Sequence, residues 1–323
     1  MLGSQPFPLQ THFPTASRMV YGCMGLGGGW NDNALTKNDI HQAQALIEQC
    51  LANGVNVFDH ADIYTFGKAE QAFGNALKHN YTLREQMLIQ TKCGIRFADE
   101  TGVKRYDFSP EYITTCVEQS LQQLHIEQID VFILHRPDVL ADLSAVARTI
   151  ETLQQAGKIK HLGVSNMSVP QLQHLQQYVS TPIVVNQIEM SLAHHPMLDA
   201  AIATNIATEA VQNGFAGLLE YAAMHNIQLQ AWGSLAQGRF QQASQSPTDN
   251  AVSDLVTELA HAYNTTKAAI ILAFLTRLPQ GIQPVIGTTN PQRMQDCFAV
   301  HNVHLSHADW YALLTAVRGS EVP

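Results

Sequence analysis

Basic residues are scarce in this sequence. Only 18 of its 323 residues are Lys or Arg, against 27 Asp and Glu, which gives a formal net charge of −9. Nucleic acids and anionic membrane surfaces are usually recognised through a dense positive face. We therefore expect neither a nucleic acid nor a membrane as the main partner, whereas a local cluster of charges could still hold one anionic cofactor.

Long hydrophobic runs and paired cysteines are missing as well. No apolar stretch approaches the roughly 18 residues that span a bilayer, and residues 1–18 lack the basic and apolar regions of a signal peptide. The five cysteines are an odd number without a C-x-x-C pair, which is typical of reduced thiols rather than of disulfides or a zinc site. These absences predict a soluble, cytoplasmic protein.

What the sequence does contain is a regular alternation of short apolar strands and amphipathic helices. Hydrophobic residues make up 46% of the chain, enough for a full core. Neither a Pro/Ser-rich linker nor a repeat of about 20–50 residues interrupts the pattern. It predicts a single (β/α)8 TIM barrel domain over residues 1–323, with a short N-terminal extension and a C-terminal helix. The predicted strands cover residues 19–22, 55–58, 87–91, 129–134, 161–164, 183–185, 228–231 and 283–286.

Capping residues mark several helix boundaries. Ser109 followed by Pro110 is a favourable helix start, and Asn38 is a candidate N-cap for the helix before the second strand. Residues 306–309 form a capping box for the last helix. The polar, glutamine-rich stretch 238–250 is the one loose segment, and we predict a mobile loop there.

Polar and aromatic side chains stand at the C-terminal ends of the predicted strands. Because these ends meet at one face of a (β/α)8 barrel, the side chains should converge on one pocket. Tyr64 joins them from the loop after the second strand. The residues at the strand ends are Asp59, Lys92, His135, Ser165, Asn166, Gln187 and Trp232.

This constellation resembles the aldo-keto reductase family, and within it a bacterial subgroup of predicted oxidoreductases. The resemblance covers residues 21–298. Its six motifs, in chain order, are Phe58-Asp59-x-Ala61-x-x-Tyr64, Thr91-Lys92, Leu134-His135, Gly163-Val164-Ser165-Asn166, Asn186-Gln187 and Ile286-Gly287-Thr288. The resemblance implies an NADP(H)-dependent enzyme that reduces a small aldehyde or ketone to an alcohol by hydride transfer.

The same resemblance implies the catalytic roles. Tyr64 would be the general acid that protonates the carbonyl oxygen, and a free phenol, with a pKa of about 10, needs a neighbour that lowers this value. Lys92 would supply that positive charge, Asp59 would keep Lys92 charged, and His135 would hydrogen-bond the substrate oxygen. This chemistry needs no metal. Taken alone, Asp59 and Lys92 could be a structural ion pair and His135 a core histidine; their joint placement favours catalysis.

For the cofactor, the resemblance assigns Ser165, Asn166 and Gln187 to the nicotinamide carboxamide and Trp232 to the face of the nicotinamide ring. The helix that starts after residue 290 offers an anion site for the adenosine end. The other cofactor-binding positions that it implies are Gly22, Cys23, Gly233, Ser234, Leu235, Ala236, Gly238, Arg239, Ile286, Gly287, Thr288, Thr289, Arg293 and Asp296.

The cofactor preference depends on the residues around the adenosine end. Thr288 and Arg293 suit a 2′-phosphate, which favours NADP(H) over NAD(H). The chain departs from the family pattern at four places, one of which is Gly233-Ser234 in place of the commoner Ser-Pro after the stacking aromatic. Gly287 stands where the strongest 2′-phosphate binders carry Lys, Cys297 where they carry Asn, and His60 where Thr or Ser more often follows the aspartate.

The substrate pocket should be lined from the loops. We expect Trp30, His60 and Phe97 to contact a small-molecule carbonyl substrate, with Tyr106 and residues 189–197 nearby. An alternative is a nucleotide-sensing regulatory or partner-binding protein on the same fold, since intact catalytic residues do not by themselves prove turnover. The oligomeric state is left open.

Two other interpretations fail on their context. The glycine-rich residues 25–30 resemble a dinucleotide-binding fingerprint, but the sixth position is Trp30 and no helix is predicted to begin there. The fifteen histidines suggest a metal-dependent hydrolase, but no H-x-H ends the first strand, and His194 and His195 fall in a predicted loop.

Overall fold

The computed structural model describes residues 6–78, 80–203, 214–242 and 244–323. The strands are β1 (Val20–Gly22), β2 (Val57–Asp59), β3 (Leu88–Cys93), β4 (Ile95–Arg96), β5 (Arg105–Tyr106), β6 (Ile129–Leu134), β7 (Ile159–Ser165), β8 (Ile183–Glu189), β9 (Gln228–Trp232) and β10 (Gln283–Ile286). β4 and β5 form a small antiparallel hairpin, and the others close into a parallel barrel in chain order, with β10 pairing to β1. This confirms the predicted (β/α)8 barrel, and each predicted strand overlaps an observed one.

Helices alternate with the barrel strands. Those in the described ranges are α1 (Lys37–Ala52), α2 (Lys68–Leu77), α3 (Tyr81–Arg84), α4 (Pro110–Leu124), α5 (Leu143–Gln155), α6 (Val169–Gln176), α7 (Pro196–Ile202), α8 (Leu218–Met224), α9 (Pro247–Ala262), α10 (Lys267–Thr276), α11 (Pro291–Phe298) and α12 (His307–Arg318). In this part of the chain, none of the helices has the length and apolar character that crossing a bilayer requires.

Side-chain alternation along the strands separates two hydrophobic layers. Val20, Val57 and Val131 belong to a cluster inside the barrel, which Phe7 and Leu9 of the N-terminal segment close at one end. The larger cluster lies between the strands and the surrounding helices. Because inward positions recur every second residue, the next inward positions after the valines lie nearer the C-terminal face. Asp59 and Gln187, two residues after Val57 and Val185, place polar side chains at that level.

The observed helix caps agree only in part with the predictions. Ser109 caps α4, as expected. Asn38 is not the N-cap of α1: Thr36 is, in a reciprocal capping box with Asp39. Thr36 occupies the N-cap position because it has the extended backbone conformation of an N-cap, whereas Asn38 already lies within the helix. At α12, Ser306 accepts from the Asp309 backbone N–H, which confirms half of the predicted box.

The segment predicted as a mobile loop is partly helical. A short 3-10 turn covers residues 236–238, and Ser246 caps α9, which includes Asn250. Arg239 spans the segment with a two-pronged ion pair to Asp249, at 2.7 and 2.8 Å. Residue 243 lies outside the described residues.

Candidate active site

Asp59 and Lys92 meet at the C-terminal end of the barrel, on the neighbouring strands β2 and β3. Lys92 Nζ lies 2.6 Å from Asp59 Oδ1 and 2.7 Å from Asp59 Oδ2, and it donates to the His60 carbonyl oxygen at 2.8 Å. Both charged side chains are almost completely buried. The ammonium therefore has acceptors for its hydrogens inside the protein, and its orientation is determined by them.

The environment keeps Lys92 charged. Burial on its own lowers the pKa of Lys92, because it takes the ammonium out of water. Asp59 and Tyr64 act in the opposite direction, and the pKa of Lys92 ends above its ordinary value. A positive charge is therefore present beside Tyr64 at neutral pH.

A strained turn holds Tyr64 against this pair. Tyr64 begins a short 3-10 turn in which Thr65 and Phe66 have φ angles of 49° and 59°. This left-handed region is unfavourable for residues other than glycine, and such strain persists only where neighbouring contacts enforce it. Thr65 Oγ1 provides one such contact by donating to the Leu26 carbonyl oxygen at 2.9 Å. Lys92 Nζ lies 4.9 Å from the centre of the Tyr64 ring.

The acidity of Tyr64 differs from the prediction. Burial raises the pKa of Tyr64 and outweighs the opposing effect of Lys92, so that the pKa is about 12. Lys92 does lower the pKa of Tyr64, as expected, but burial raises it by more, so the pKa lies above that of a free phenol rather than below it. The phenol is protonated at neutral pH, which is the form that a general acid requires.

His135 follows β6 and faces Tyr64. The two ring centres are 6.2 Å apart, with an angle of 81° between the ring planes. His135 Nδ1 is buried and has no hydrogen-bond partner among the described residues. Burial, together with Lys92 and Arg136, lowers the pKa of His135 to about 2. The neutral imidazole carries one N–H that can be donated to a substrate oxygen.

Ser165, Asn166 and Trp232 form one wall of the site. Asn166 has a φ of 59°, its Nδ2 donates to Ser165 Oγ at 2.7 Å, and its Oδ1 accepts from Trp232 Nε1 at 3.2 Å. The guanidinium of Arg136 lies over the indole, 5.7 Å from the ring centre. Sequence reasoning missed Arg136, although its position directly after His135 at a strand end was a signal.

Gln187 is engaged inside the barrel. Its Nε2 donates to Asp59 Oδ1 at 3.0 Å and to Gln230 Oε1 at 3.2 Å. Gln90 also donates to Asp59 Oδ1, at 2.6 Å. Sequence reasoning missed Gln90 and Gln230. The signal was the alternation of β3, which places Gln90 on the same inward face as Lys92 two residues later.

The His60 side chain does not line the pocket. Successive residues of a strand point to opposite faces, so the residue after inward-facing Asp59 points toward the helices. The ring is fully buried, 4.5 Å from that of Phe73 on α2. Burial and Lys92 lower the pKa of His60 to about 3. The structure thus contradicts the predicted substrate contact, and the part of His60 that faces the site is its backbone carbonyl.

Trp30 and Phe97 do lie together, and Phe66 joins them. The Phe66 ring centre is 5.4 Å from that of Trp30 and 5.5 Å from that of Phe97, and all three pairs meet edge to face. Trp30 and Phe66 are about half exposed, at 46% and 50%. Trp30 lies in the loop after β1, Phe97 directly after β4, and Phe66 in the same short turn as Tyr64. Phe66, which the sequence analysis did not single out, therefore belongs to the candidate substrate surface.

The residues predicted for the adenosine end surround the start of α11. Asn290 caps the helix by accepting from the Arg293 backbone N–H at 3.0 Å, and Thr288 Oγ1 accepts from the Asn290 N–H at 3.2 Å. Arg293 is exposed, and in the described ranges no carboxylate lies within 4.0 Å of it. The guanidinium of Arg239 is instead already paired with Asp249. Arg293 is therefore the better-placed free cation.

Two of the remaining positions predicted for the cofactor, Cys23 and Ser234, have side chains that make hydrogen bonds within the protein. Cys23 is fully buried, burial raises the pKa of its thiol, and its Sγ donates to the Tyr21 carbonyl oxygen at 3.8 Å. Ser234 Oγ donates to the Val285 carbonyl oxygen at 2.8 Å and ties the loop after β9 to β10. In that loop Ala236 and Gln237 have φ angles of 46° and 55°, a strained conformation of the kind found at ligand-binding loops.

The sequence model of the Aldo/keto reductase family matches residues 18–317. The chain belongs to the aldo/keto reductase family. Membership makes this protein an NAD(P)H-dependent oxidoreductase of carbonyl and alcohol groups, which confirms the predicted enzyme class. Membership in this family also argues against a metal-dependent hydrolase.

Bacterial relatives match over nearly the whole reductase. A 6-dehydroglucose reductase of Agrobacterium fabrum is 33% identical, with 95% of this chain and 96% of the relative covered. The uncharacterized oxidoreductase YcsN of Bacillus subtilis is 32% identical over the same shares of both chains. These relatives agree with the bacterial oxidoreductase subgroup expected from the motifs.

Solved structures share the fold. The glycerol dehydrogenase of Gluconobacter oxydans superposes with a TM-score of 0.75 at 24% identity, covering 94% of this reductase and 92% of that chain. An aldo/keto reductase from Klebsiella pneumoniae in complex with NADP and acetate gives a TM-score of 0.70 at 21% identity, covering 92% and 90%. Both likenesses concern the (β/α)8 barrel.

Proposed function

We propose that this reductase converts a small aldehyde or ketone to an alcohol with NADPH, and that Tyr64 is the general acid. The observation that carries the proposal is the assembly of Tyr64, Lys92, Asp59 and His135 at one end of the barrel. The Lys92 ammonium, paired with the buried Asp59 carboxylate, lies 4.9 Å from the centre of the Tyr64 ring. The neutral imidazole of His135 faces the same ring.

The side chains fit a nicotinamide cofactor, which when bound supplies the hydride. Gln187 donates through its Nε2 inside the barrel, so its Oε1 is the atom left to accept from the carboxamide. Asn166 holds the Trp232 indole in place, which prepares a flat apolar face for the ring. These are the fixed, preorganised contacts that a bound nicotinamide needs.

The chain's own residues handle the proton. Tyr64 donates its proton to the substrate oxygen, and the Lys92 ammonium stabilises the phenolate that this step produces. Asp59 keeps Lys92 charged and aimed. His135, neutral because of its lowered pKa, donates its N–H to the same oxygen and orients the carbonyl.

We infer a preference for NADP(H) over NAD(H). Arg293 stands exposed at the N-terminus of α11 with no carboxylate partner in the described part of the chain, and a guanidinium can bind a 2′-phosphate with two hydrogen bonds. Gly287 supplies no second cation there. The family contains both preferences: relatives include an NADH-specific methylglyoxal reductase of Escherichia coli and an NADP(+) enzyme of Schizosaccharomyces pombe.

The substrate class is proposed from the exposed aromatic rings. Trp30, Phe66 and Phe97 offer apolar faces and edges beside Tyr64, which suits an aromatic or aliphatic carbonyl compound. Because two of the curated relatives are named 6-dehydroglucose reductases, sugar aldehydes belong in the same test. Aromatic rings also stack on the apolar faces of sugars.

The test is carbonyl reduction followed by loss of NADPH absorbance, with a panel of aromatic, aliphatic and sugar aldehydes. Wild type is compared with Tyr64→Phe, which keeps the ring and removes the proton. Turnover that the substitution lowers by a factor of at least about a hundred supports the proposal. NADPH binding without reduction of any compound would instead favour the nucleotide-sensing alternative, and equal turnover by both proteins would exclude Tyr64 as the acid.

A further inference from the structure

Asp59 receives more hydrogen bonds than its ion pair provides. Besides Lys92, two buried amides donate to Asp59 Oδ1: Gln90 Nε2 at 2.6 Å and Gln187 Nε2 at 3.0 Å. The two glutamines come from β3 and β8 and are 1% and 2% exposed. A buried carboxylate stays ionised only when donors replace the water it has lost. The amide groups of Gln90 and Gln187 therefore replace water as hydrogen-bond donors to Asp59.

The direction of these amides is determined by the charge that they face. A carboxylate accepts only, so Gln90 and Gln187 must turn their NH₂ groups toward Asp59. The other hydrogen of each NH₂ goes to Gln230 Oε1, at 2.7 and 3.2 Å. Gln230 Nε2 donates back to Gln90 Oε1 at 3.0 Å. Gln90 is thus held by two bonds to Gln230 while it donates to Asp59.

The same chain of amides continues to the opposite end of the barrel. Gln230 Nε2 also donates to Gln283 Oε1 at 3.2 Å, and Gln283 Nε2 donates to the Ser17 carbonyl oxygen at 2.6 Å. Ser17 can only accept at that atom. The amides are therefore oriented from both ends, by a carbonyl at one and by the carboxylate at the other, and Gln90 cannot turn its amide without breaking several bonds.

We propose that Gln90 is a positioning residue of the reaction: its buried amide holds the Asp59 carboxylate in the geometry that aims the Lys92 ammonium at Tyr64. This inference rests on the proposed function of Tyr64. By donating to Asp59, the amide partly offsets the negative charge of the carboxylate. Asp59 then cancels less of the positive potential that Lys92 produces at the Tyr64 phenol. The titratable groups that face Asp59 are Lys92 on β3, Tyr64 after β2 and the Cys23 thiol after β1.

The first test replaces the amide with an apolar side chain of the same length. Gln90→Met should lower kcat for carbonyl reduction by about tenfold, because one hydrogen bond to a charged group is lost next to the acid. The dissociation constant for NADPH should stay near the wild-type value, since Gln90 is buried below the pocket. Gln228→Met is the matched control. Gln228 is equally buried and hydrogen-bonded, but to Gly281 and Leu9 rather than to the Asp59 network.

The second test restores the donor only while it carries a proton. In Gln90→Glu a neutral carboxyl can donate to Asp59, whereas an ionised one repels it, and burial beside a carboxylate raises the pKa of the new acid. A buried Glu can have a pKa as high as about 8–9. Activity of this variant should therefore approach that of wild type at about pH 6 and fall below it at about pH 9. A purely structural role for Gln90 would lower stability without producing this pH dependence.

The outcomes separate the two proposals. If wild type reduces carbonyls and Tyr64→Phe does not, but Gln90→Met keeps the wild-type kcat, the positioning role is wrong and the reductase function stands. If wild type reduces none of the panel, the proposed function fails and this inference fails with it. Should Gln90→Met not fold, Gln230→Met removes the two bonds that orient Gln90. Wild-type kcat in that variant, together with a wild-type pH profile for Gln90→Glu, would overturn the proposal.

Discussion

Replacing Lys92 with Met tests how the buried ion pair supports both stability and catalysis. The substitution leaves the Asp59 carboxylate inside the barrel without its cation, where the two charged side chains of the pair are 0% and 2% exposed. Removing one partner of a buried pair usually costs about 3–5 kcal/mol. Because Gln90 and Gln187 still donate to Asp59 Oδ1, we expect the lower end, about 3 kcal/mol.

The assay is a double-mutant cycle in denaturant unfolding, with Lys92→Met, Asp59→Asn and the double variant. Asp59→Asn alone should also be costly, since it leaves a buried ammonium. The double variant has neither charge and should be less destabilised than the sum of the single changes, by about 2 kcal/mol or more. All variants that lack Lys92 should lose activity by about a hundredfold or more, because the phenolate is no longer stabilised. Strictly additive effects on stability would refute the coupling that the geometry indicates.

Three further changes test other parts of the molecule. Arg293→Ala should raise the dissociation constant for NADPH by about tenfold and leave that for NADH nearly unchanged in fluorescence titrations, and equal losses would argue against a 2′-phosphate contact. Burial raises the pKa of Glu70 from 4.5 to about 7, although Thr91 Oγ1 donates to it at 2.6 Å. The folded protein therefore keeps a proton that the unfolded chain releases, and stability should fall between about pH 4.5 and 7, by about 3 kcal/mol at most. Glu70→Gln should reduce the slope of unfolding free energy against pH in that window, where Asp62, whose pKa burial also raises to about 7, still contributes, and an unchanged slope would contradict the raised pKa of Glu70. Gly27 has a φ of +80°, and a Cβ there would lie 2.6 Å from the Lys68 carbonyl carbon. Gly27→Ala should cost about 2 kcal/mol or more in urea unfolding, and wild-type stability would show that the loop can move.

The barrel and the location of its chemistry were readable from the sequence because both depend on local patterns. Apolar runs separated by amphipathic helices predict a parallel barrel, and in such a barrel all strands end at the same face. Asp59, Lys92, His135 and Trp232 could therefore be assigned to one site before their distances were known. The cap at Ser109 was predictable for the same reason, since a cap depends on its immediate neighbours.

Errors arose where the outcome depends on atoms distant in sequence. His60 was expected to contact the substrate, but its ring is fully buried against Phe73 on α2. The acidity of Tyr64 was predicted from one neighbour, Lys92, whereas burial outweighs that charge and raises the pKa of Tyr64 to about 12. Desolvation is a sum over every atom that displaces water, and no short motif contains that sum.

By itself, then, the sequence determined the fold, the family and the side chains that we propose for the reaction, because periodicity and strand ends are local properties. Only the tertiary structure decided how those side chains are held. Gln90 and Gln230 are 140 positions apart, yet they exchange hydrogen bonds across the barrel and support Asp59 from below. Closing the barrel brings such residues together and excludes water from between them, and only in that water-free interior do their hydrogen bonds determine the orientation of a buried charge.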